Sequence, residues 1–195
     1  MNILLIGGSG FVGKSLSYEL IKHDHFVSYL SRTANNTQLP WICANIFSIN
    51  TLNLKNYNFD IAIHLIGTIK NKNQYSKINT LSVKKSIELC EKSNIKKLVF
   101  ISAQGGFKSY LNSKLEAEKL IINSGLDYLI VKPGLMYGKN RLSSYLNVIP
   151  IKIFSTLGIK FFKNVYPLPV ETIARKIVSN LELNCTFLTL DNLKN

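Results

Sequence analysis

Tyr110 and Lys114 are the residues whose types and spacing point most directly to chemistry. They lie four positions apart in SAQGGFKSYLNSKLEAE, residues 102–118, where the apolar spacing predicts a helix. Residues four apart share one face of a helix, so the two side chains are expected to be neighbours. Because a nearby cation favours the phenolate, we expect a lowered pKa for Tyr110. Tyr110 could then exchange a proton with a carbonyl or an alcohol.

Ser102 comes just before this pair. It ends the apolar run KLVFIS, residues 97–102, which predicts a buried strand. Open α/β sheets bind their ligands at the carboxyl ends of strands, where the Ser102 hydroxyl could polarise a carbonyl oxygen. A Tyr and a Lys at this spacing are common on solvated helix faces, and the preceding Ser102 and glycine pair strengthen the catalytic interpretation.

The segment GGSGFVGKS, residues 7–15, fits two phosphate-binding patterns. One is the Gly-x-x-Gly-x-x-Gly turn of dinucleotide-binding βαβ units, and the other is the Gly-x-x-x-x-Gly-Lys-Ser loop of triphosphate-binding proteins. A triphosphate site also needs an apolar strand ending in an Asp that helps to hold Mg²⁺. Only FLTLD, ending in Asp191 late in the chain, comes close. We therefore favour a dinucleotide, with Gly7 making the turn, Gly10 admitting the pyrophosphate and Gly13 allowing close packing.

Arg32 stands where a dinucleotide site distinguishes between its two cofactors. It follows a predicted strand in SYLSRT, residues 28–33, with no acidic residue nearby. An acid there would bind the free 2′-hydroxyl of NAD, whereas an Arg accepts the 2′-phosphate of NADP. The alternative interpretation is a surface cation. The sequence thus predicts NADP(H) as the preferred cofactor, with NAD(H) as the alternative.

Strands and helices alternate along the chain. Apolar runs predict strands at 2–6, 26–30, 41–44, 60–66, 97–102, 128–131 and 186–190, and helical periodicity predicts helices at 11–22, 74–93, 110–124 and 171–183. This order predicts an α/β fold with a doubly wound, mostly parallel, Rossmann-like sheet. We expect one NAD(P)-binding domain over residues 1–195.

The composition is that of a globular protein with a basic excess. The net charge is +13, but the lysines occur singly or in pairs, so no specific nucleic-acid partner is expected. Three cysteines without metal-ligand spacing predict neither a metal site nor a disulfide framework. Without a signal peptide or a membrane-spanning apolar run, we expect a cytoplasmic protein.

Together these motifs resemble the short-chain dehydrogenase/reductase superfamily, in the extended and atypical branches that include NAD-dependent epimerase/dehydratase-like proteins. The similar segments are GGSGFVG at 7–13, DIAIHLIG at 60–67, KPGLMYG at 132–138 and LPVETIARKIV at 168–178. The segments SYLNSKLEAE and KPGLMYG are most similar to the dinucleotide-binding accessory subunit of respiratory complex I and its quinone-biosynthesis relatives.

The resemblance implies NAD(P) binding and, in an active member, hydride transfer at a carbonyl or alcohol carbon. Tyr110 would be the general acid/base, Lys114 would tune it and hold the ribose, and Ser102 would polarise the carbonyl. The residues implied for cofactor binding are Gly7, Ser9, Gly10, Phe11, Val12, Gly13, Ser31, Arg32, Asn45, Ile46, Leu65, Ile66, Gly67, Asn79, Lys114 and Pro133.

The chain departs from the superfamily in its short C-terminal part. Only residues 139–170 are left for a substrate cap, which favours a small or lipidic, quinone- or isoprenoid-like substrate over a large nucleotide sugar. The apolar stretch 142–163, with lysines at 152, 160 and 163, predicts a lid over the cleft or, alternatively, a peripheral membrane element. Association with a respiratory complex is a further expectation from the resemblance.

Two functional hypotheses remain. The first is an NADP(H)-dependent oxidoreductase. The second is a catalytically silent NADP(H)-binding assembly factor, structural subunit or redox sensor, which the short cap and the eight-residue spacing between Ser102 and Tyr110 favour.

Overall fold

The computed structural model describes residues 1–34, 39–52, 54–139 and 142–195. Its strands are β1 (Asn2–Ile6), β2 (Phe26–Ser31), β3 (Trp41–Cys43), β4 (Ile61–His64), β5 (Lys97–Ile101), β6 (Asp127–Val131), β7 (Met136–Tyr137), β8 (Leu168–Pro169) and β9 (Thr186–Leu188). Its α-helices are α1 (Phe11–Lys22), α2 (Ser82–Lys92), α3 (Lys108–Ile122), α4 (Val148–Thr156), α5 (Lys160–Asn164), α6 (Val170–Val178) and α7 (Leu190–Lys194).

The strands form one main parallel sheet in the order β3-β2-β1-β4-β5-β6-β9. The chain starts near the middle of the sheet, builds outward to β3, and then returns to the other side of β1 through β4. This reversal creates a crevice at the carboxyl ends of β1 and β4, where such sheets bind ligands. The predicted doubly wound, Rossmann-like α/β fold is confirmed.

Both faces of the sheet are buried, which explains the continuous apolar runs of its strands. In β1, Ile3 and Leu5 belong to the core on the side of α1 and α6. Leu4 and Ile6 belong to the opposite core, on the side of α2 and α3. Successive residues of one strand therefore fill two cores, so no polar alternation appears in the sequence.

The helix predicted over 74–93 is not regular. Its first part, Ser76–Leu81, is a π-helical turn, and α2 begins only at Ser82. The buried Asn79 lies in this turn, where its side chain bonds the loop after β4. Such turns often accompany functional sites.

The predicted cap is two short helices outside the sheet. α4 and α5 pack together through stacked Phe154 and Phe162 rings, whose centroids are 4.9 Å apart. The parallel pair of β7 and β8 anchors both ends of this segment. Residues 140–141 of the predicted cap lie outside the described residues. In the described parts of the chain, none of the helices combines the length and hydropathy that a membrane span requires.

Candidate functional site

A cleft of about 560 Å³ opens at the carboxyl ends of β1, β4, β5 and β6. The glycine turn and α1 form one wall, the start of α3 forms another, and the cap closes the outer side. The predicted site residues along this cleft are Gly7, Gly10, Phe11, Val12, Gly13, Leu65, Ile66, Gly67, Ser102, Tyr110, Lys114 and Pro133. The fold thus brings two distant sequence motifs to one cavity.

The glycine turn has the geometry that its sequence predicts. Gly7 has a φ of +86°, which favours glycine. A Cβ on Gly13 would collide with the backbone of Gly8, so only glycine lets α1 pack this closely. Gly10 precedes α1, and no side chain caps the helix. The start of α1 lines the cleft, so the positive end of the helix dipole lies where it would suit a dinucleotide pyrophosphate.

Lys114 is buried beside the cleft, with only 5 % of its surface exposed. Its Nζ donates a hydrogen bond to the Ile101 carbonyl oxygen at 2.8 Å and lies 4.7 Å from the centroid of the Phe100 ring. Burial lowers the pKa of Lys114 to about 8, against the opposing effect of Glu118. A Cβ on Gly67 would lie 3.3 Å from Lys114 Nζ, so this ammonium group reaches the loop after β4.

Tyr110 lies one turn before Lys114 and also faces the cleft. Its ring packs edge-on against the Tyr75 ring, with centroids 5.7 Å apart. The expected lowering of the Tyr110 pKa is wrong for this structure: burial, with a smaller effect of Tyr75, raises it to about 12. Desolvation of the phenolate is the main cause, and both causes disfavour the charged form. The phenol is therefore protonated at neutral pH.

Ser102 lies at the cleft but directs its hydroxyl to a partner that sequence analysis missed. It donates a hydrogen bond to Glu118 Oε1, and Glu118 Oε2 lies 2.7 Å from Lys132 Nζ. Glu118 is only 4 % exposed. Its position four residues after Lys114, on the same face of α3, was the available signal.

Asn79 and His64 support the loop between β4 and the cleft. The Asn79 side chain accepts a hydrogen bond from the Thr68 backbone N–H at 2.8 Å and donates to the Thr68 carbonyl and to Ser113 Oγ, each at 3.0 Å. His64 is fully buried, and its Nε2 donates to the Ile66 carbonyl at 3.0 Å. In this structure the side chain of Asn79, predicted to bind the cofactor, forms hydrogen bonds with the loop after β4.

The residues predicted for the adenosine end lie outside this cleft. Arg32 is exposed just after β2, and the Ser31 hydroxyl donates to the Thr33 carbonyl at 2.6 Å. Asn45 Oδ1 accepts from the Phe47 backbone N–H at 3.2 Å, and the Ile46 side chain is in the core. Ser9 is half-buried in the glycine turn and is not part of the cleft lining. Within the described ranges, no group of three or more His, Cys, Asp or Glu residues could hold a metal ion.

Comparison with known proteins agrees with this geometry. Residues 7–146 match the family described as NAD(P)H-binding. A curated relative, UPF0659 protein YMR090W of Saccharomyces cerevisiae, is 25 % identical over 157 residues, which cover 69 % of each chain.

Solved structures share the fold at low sequence identity. UDP-glucose 4-epimerase from Thermotoga maritima, solved with UDP-glucose, has a TM-score of 0.74 at 15 % identity over 99 % of this chain and 80 % of its own. Pal from Bacillus thuringiensis has a TM-score of 0.71 at 21 % identity over 99 % and 81 %. WbmH from Bordetella bronchiseptica, in complex with NAD⁺, has a TM-score of 0.71 at 15 % identity over 96 % and 74 %. The chain belongs to the family described as NAD(P)H-binding, and its main sheet has the Rossmann fold.

Proposed function

We propose that the protein is an NADP(H)-dependent oxidoreductase acting on a carbonyl or alcohol carbon. The observation that carries this function is the placement of Tyr110 and Lys114 in the same cleft as the glycine turn. The bound nicotinamide would supply the hydride chemistry. The protein would hold the pyrophosphate at the start of α1 and place the reacting carbon beside Tyr110.

The protonation of Tyr110 favours carbonyl reduction at neutral pH. Its raised pKa keeps the proton on the phenol, which can be given to a carbonyl oxygen. Lys114, within the same wall, would stabilise the phenolate left behind and hold a ribose hydroxyl.

Arg32 supports a preference for NADP(H) over NAD(H). It is exposed directly after β2, and the sequence has no Asp or Glu between Asp24 and Asp60 to repel a phosphate. We expect Arg32→Ala to weaken NADPH binding at least tenfold, which corresponds to one charge-assisted contact. NADH binding should be unchanged, because it lacks the 2′-phosphate. Equal losses for both cofactors would contradict this preference.

The cleft suits a small or lipidic substrate. Its lining includes apolar side chains from the loops after β4 and β5 and from the cap: Ile69, Phe107, Ile151, Phe161 and Val165. A quinone- or isoprenoid-like carbonyl compound would match this lining.

The test is NADPH oxidation with a panel of quinones, enones and aldehydes. With an active compound, Tyr110→Phe should lower kcat by about 100-fold or more while NADPH affinity is retained. The matched control is Tyr75→Phe, which removes a neighbouring hydroxyl that donates to the Ile69 carbonyl at 2.8 Å. A Tyr110→Phe protein with full turnover would exclude the assigned role.

The second candidate is a silent NADP(H)-binding assembly factor, structural subunit or redox sensor. The Ser102 hydroxyl donates to Glu118, so it is not free to donate to a carbonyl in this structure. This function predicts tight NADPH binding with no oxidation by any compound of the panel, and unchanged binding in Tyr110→Phe.

A further inference from the structure

We propose that the outward face of the cap is a docking surface for an anionic lipid bilayer. The face consists of an apolar stripe, Leu146, Ile149, Ile153 and Leu157, with Ile159 beside it. Binding to a bilayer is independent of the proposed function, because it requires neither a cofactor nor a substrate.

The apolar stripe lies on the side of α4 that faces away from the protein. Leu146, Ile149 and Leu157 are 79 %, 70 % and 68 % exposed. The inward side carries Val148 and Ser155, which are buried. A helix on the surface of a globular protein normally turns polar residues outward, whereas this helix also exposes aliphatic side chains. A contiguous exposed apolar patch of this kind marks an interaction site.

The charges on the cap itself have one sign. Lys152, Lys160 and Lys163 are exposed on α4 and α5. The sequence has no Asp or Glu from residue 128 to residue 170. This combination is typical of an interfacial membrane helix. Its aliphatic side chains enter the boundary between headgroups and acyl chains, and its lysines reach the lipid phosphate groups.

A second copy of the chain fits this face less well than a bilayer. A symmetric dimer would place the same face, with its excess of lysines, on both subunits. Anionic headgroups instead neutralise each lysine while the acyl region takes up the exposed leucine and isoleucine side chains.

The experiment is co-flotation of the full chain with vesicles. We expect binding to phosphatidylcholine vesicles that contain about one third phosphatidylglycerol, much weaker binding to phosphatidylcholine alone, and release by high salt. Ile149→Asp with Leu157→Asp should lower binding at least tenfold. Lys152→Glu with Lys160→Glu and Lys163→Glu should do the same.

The controls change equally exposed residues elsewhere. Tyr18→Asp alters a 72 % exposed side chain on α1, and Lys22→Glu with Lys84→Glu and Lys96→Glu matches the charge reversal away from the cap. Both controls should bind vesicles as the wild type does, and thermal unfolding shows whether each variant is folded. Three results would overturn the proposal: no flotation at low salt, equal binding to neutral vesicles, or a loss as large in the controls. A concentration-dependent dimer that the cap variants abolish, without vesicle binding, would assign the face to a second copy instead.

Discussion

At the scale of single residues, Glu118 connects the candidate catalytic serine to the sheet. Its carboxylate accepts from Ser102 and pairs with Lys132, which follows β6, so one side chain joins α3 to two strand ends. Glu118→Gln would leave Lys132 without its counter-charge. We expect a loss of about 1–3 kcal/mol in the free energy of unfolding, measured with urea.

The exposed Glu116 on the same helix provides the control for this prediction. Glu116→Gln should change stability by less than about 0.5 kcal/mol, as is usual for surface substitutions. Equal effects of the two variants would show that the buried Glu118–Lys132 pair stabilises the protein no more than an exposed carboxylate on the same helix does.

His64 gives the protein a specific sensitivity to acid. Burial, and next the charge of Lys114, lower its pKa to about 3, against the opposing hydrogen bond to the Ile66 carbonyl. Below pH 6.5 His64 becomes protonated in the unfolded chain, whereas in the folded chain it stays neutral down to about pH 3. The stability due to neutral His64 is therefore complete above pH 6.5 and is lost as the pH falls towards 3.

We expect the free energy of unfolding to fall by about 2 kcal/mol between pH 6.5 and pH 4.5 because of this residue. The measurement is urea unfolding across that range for the wild type and for His64→Asn, which cannot titrate. The variant should start less stable but fall less steeply. Parallel curves would mean that His64 is protonated in the folded protein.

At the scale of elements, two glycines of the turn have different roles: Gly13 allows close packing, and Gly10 leaves room for the cofactor. A Cβ on Gly13 would lie 2.6 Å from the carbonyl carbon of Gly8, whereas a Cβ on Gly10 would lie 3.4 Å from the nearest atom, the Gly7 carbonyl oxygen. Gly13→Ala should therefore destabilise the protein by about 3 kcal/mol. Gly10→Ala should cost less than about 1 kcal/mol, because the φ of −78° at Gly10 suits alanine.

Cofactor binding should respond in a different way. The methyl group that Gly10→Ala adds would lie at the start of α1, where the pyrophosphate must approach. We therefore expect at least a tenfold loss of NADPH affinity. Calorimetric titration of NADPH measures this loss in a protein of nearly normal stability. Undiminished affinity in Gly10→Ala would place the pyrophosphate elsewhere.

The sequence predicted these elements well where one physical signal dominates. Apolar runs such as NILLI and KLVFI mark strands because both faces of the sheet are covered. The π-helical turn at Ser76–Leu81 was missed: it holds Asn79, which bonds Thr68 eleven residues earlier, and apolar periodicity does not report such a contact. The Tyr110 pKa was predicted in the wrong direction because spacing gives the distance to a charge but does not give burial.

At the scale of the whole molecule, the sheet order weighs against a triphosphate site. Asp191 follows β9 at the edge of the sheet, and β4, β5 and β6 lie between that strand and β1 with its glycine turn. Its carboxylate instead lies 3.4 Å from Lys194 Nζ. The sequence could show that Asp191 ends an apolar strand, but only the topology shows how far that strand lies from the turn.

This separation leads to a prediction about ligand-linked stability. NADPH at about 100 times its dissociation constant should add about 2.7 kcal/mol to the free energy of unfolding. For a domain of this size the melting temperature should rise by about 5–11 °C. NADH at the same concentration should give a smaller rise, because it lacks the phosphate that Arg32 is proposed to bind. Mg-ATP should give little or none, and a rise with Mg-ATP alone would make Lys14 and Ser15 the functional residues of the turn.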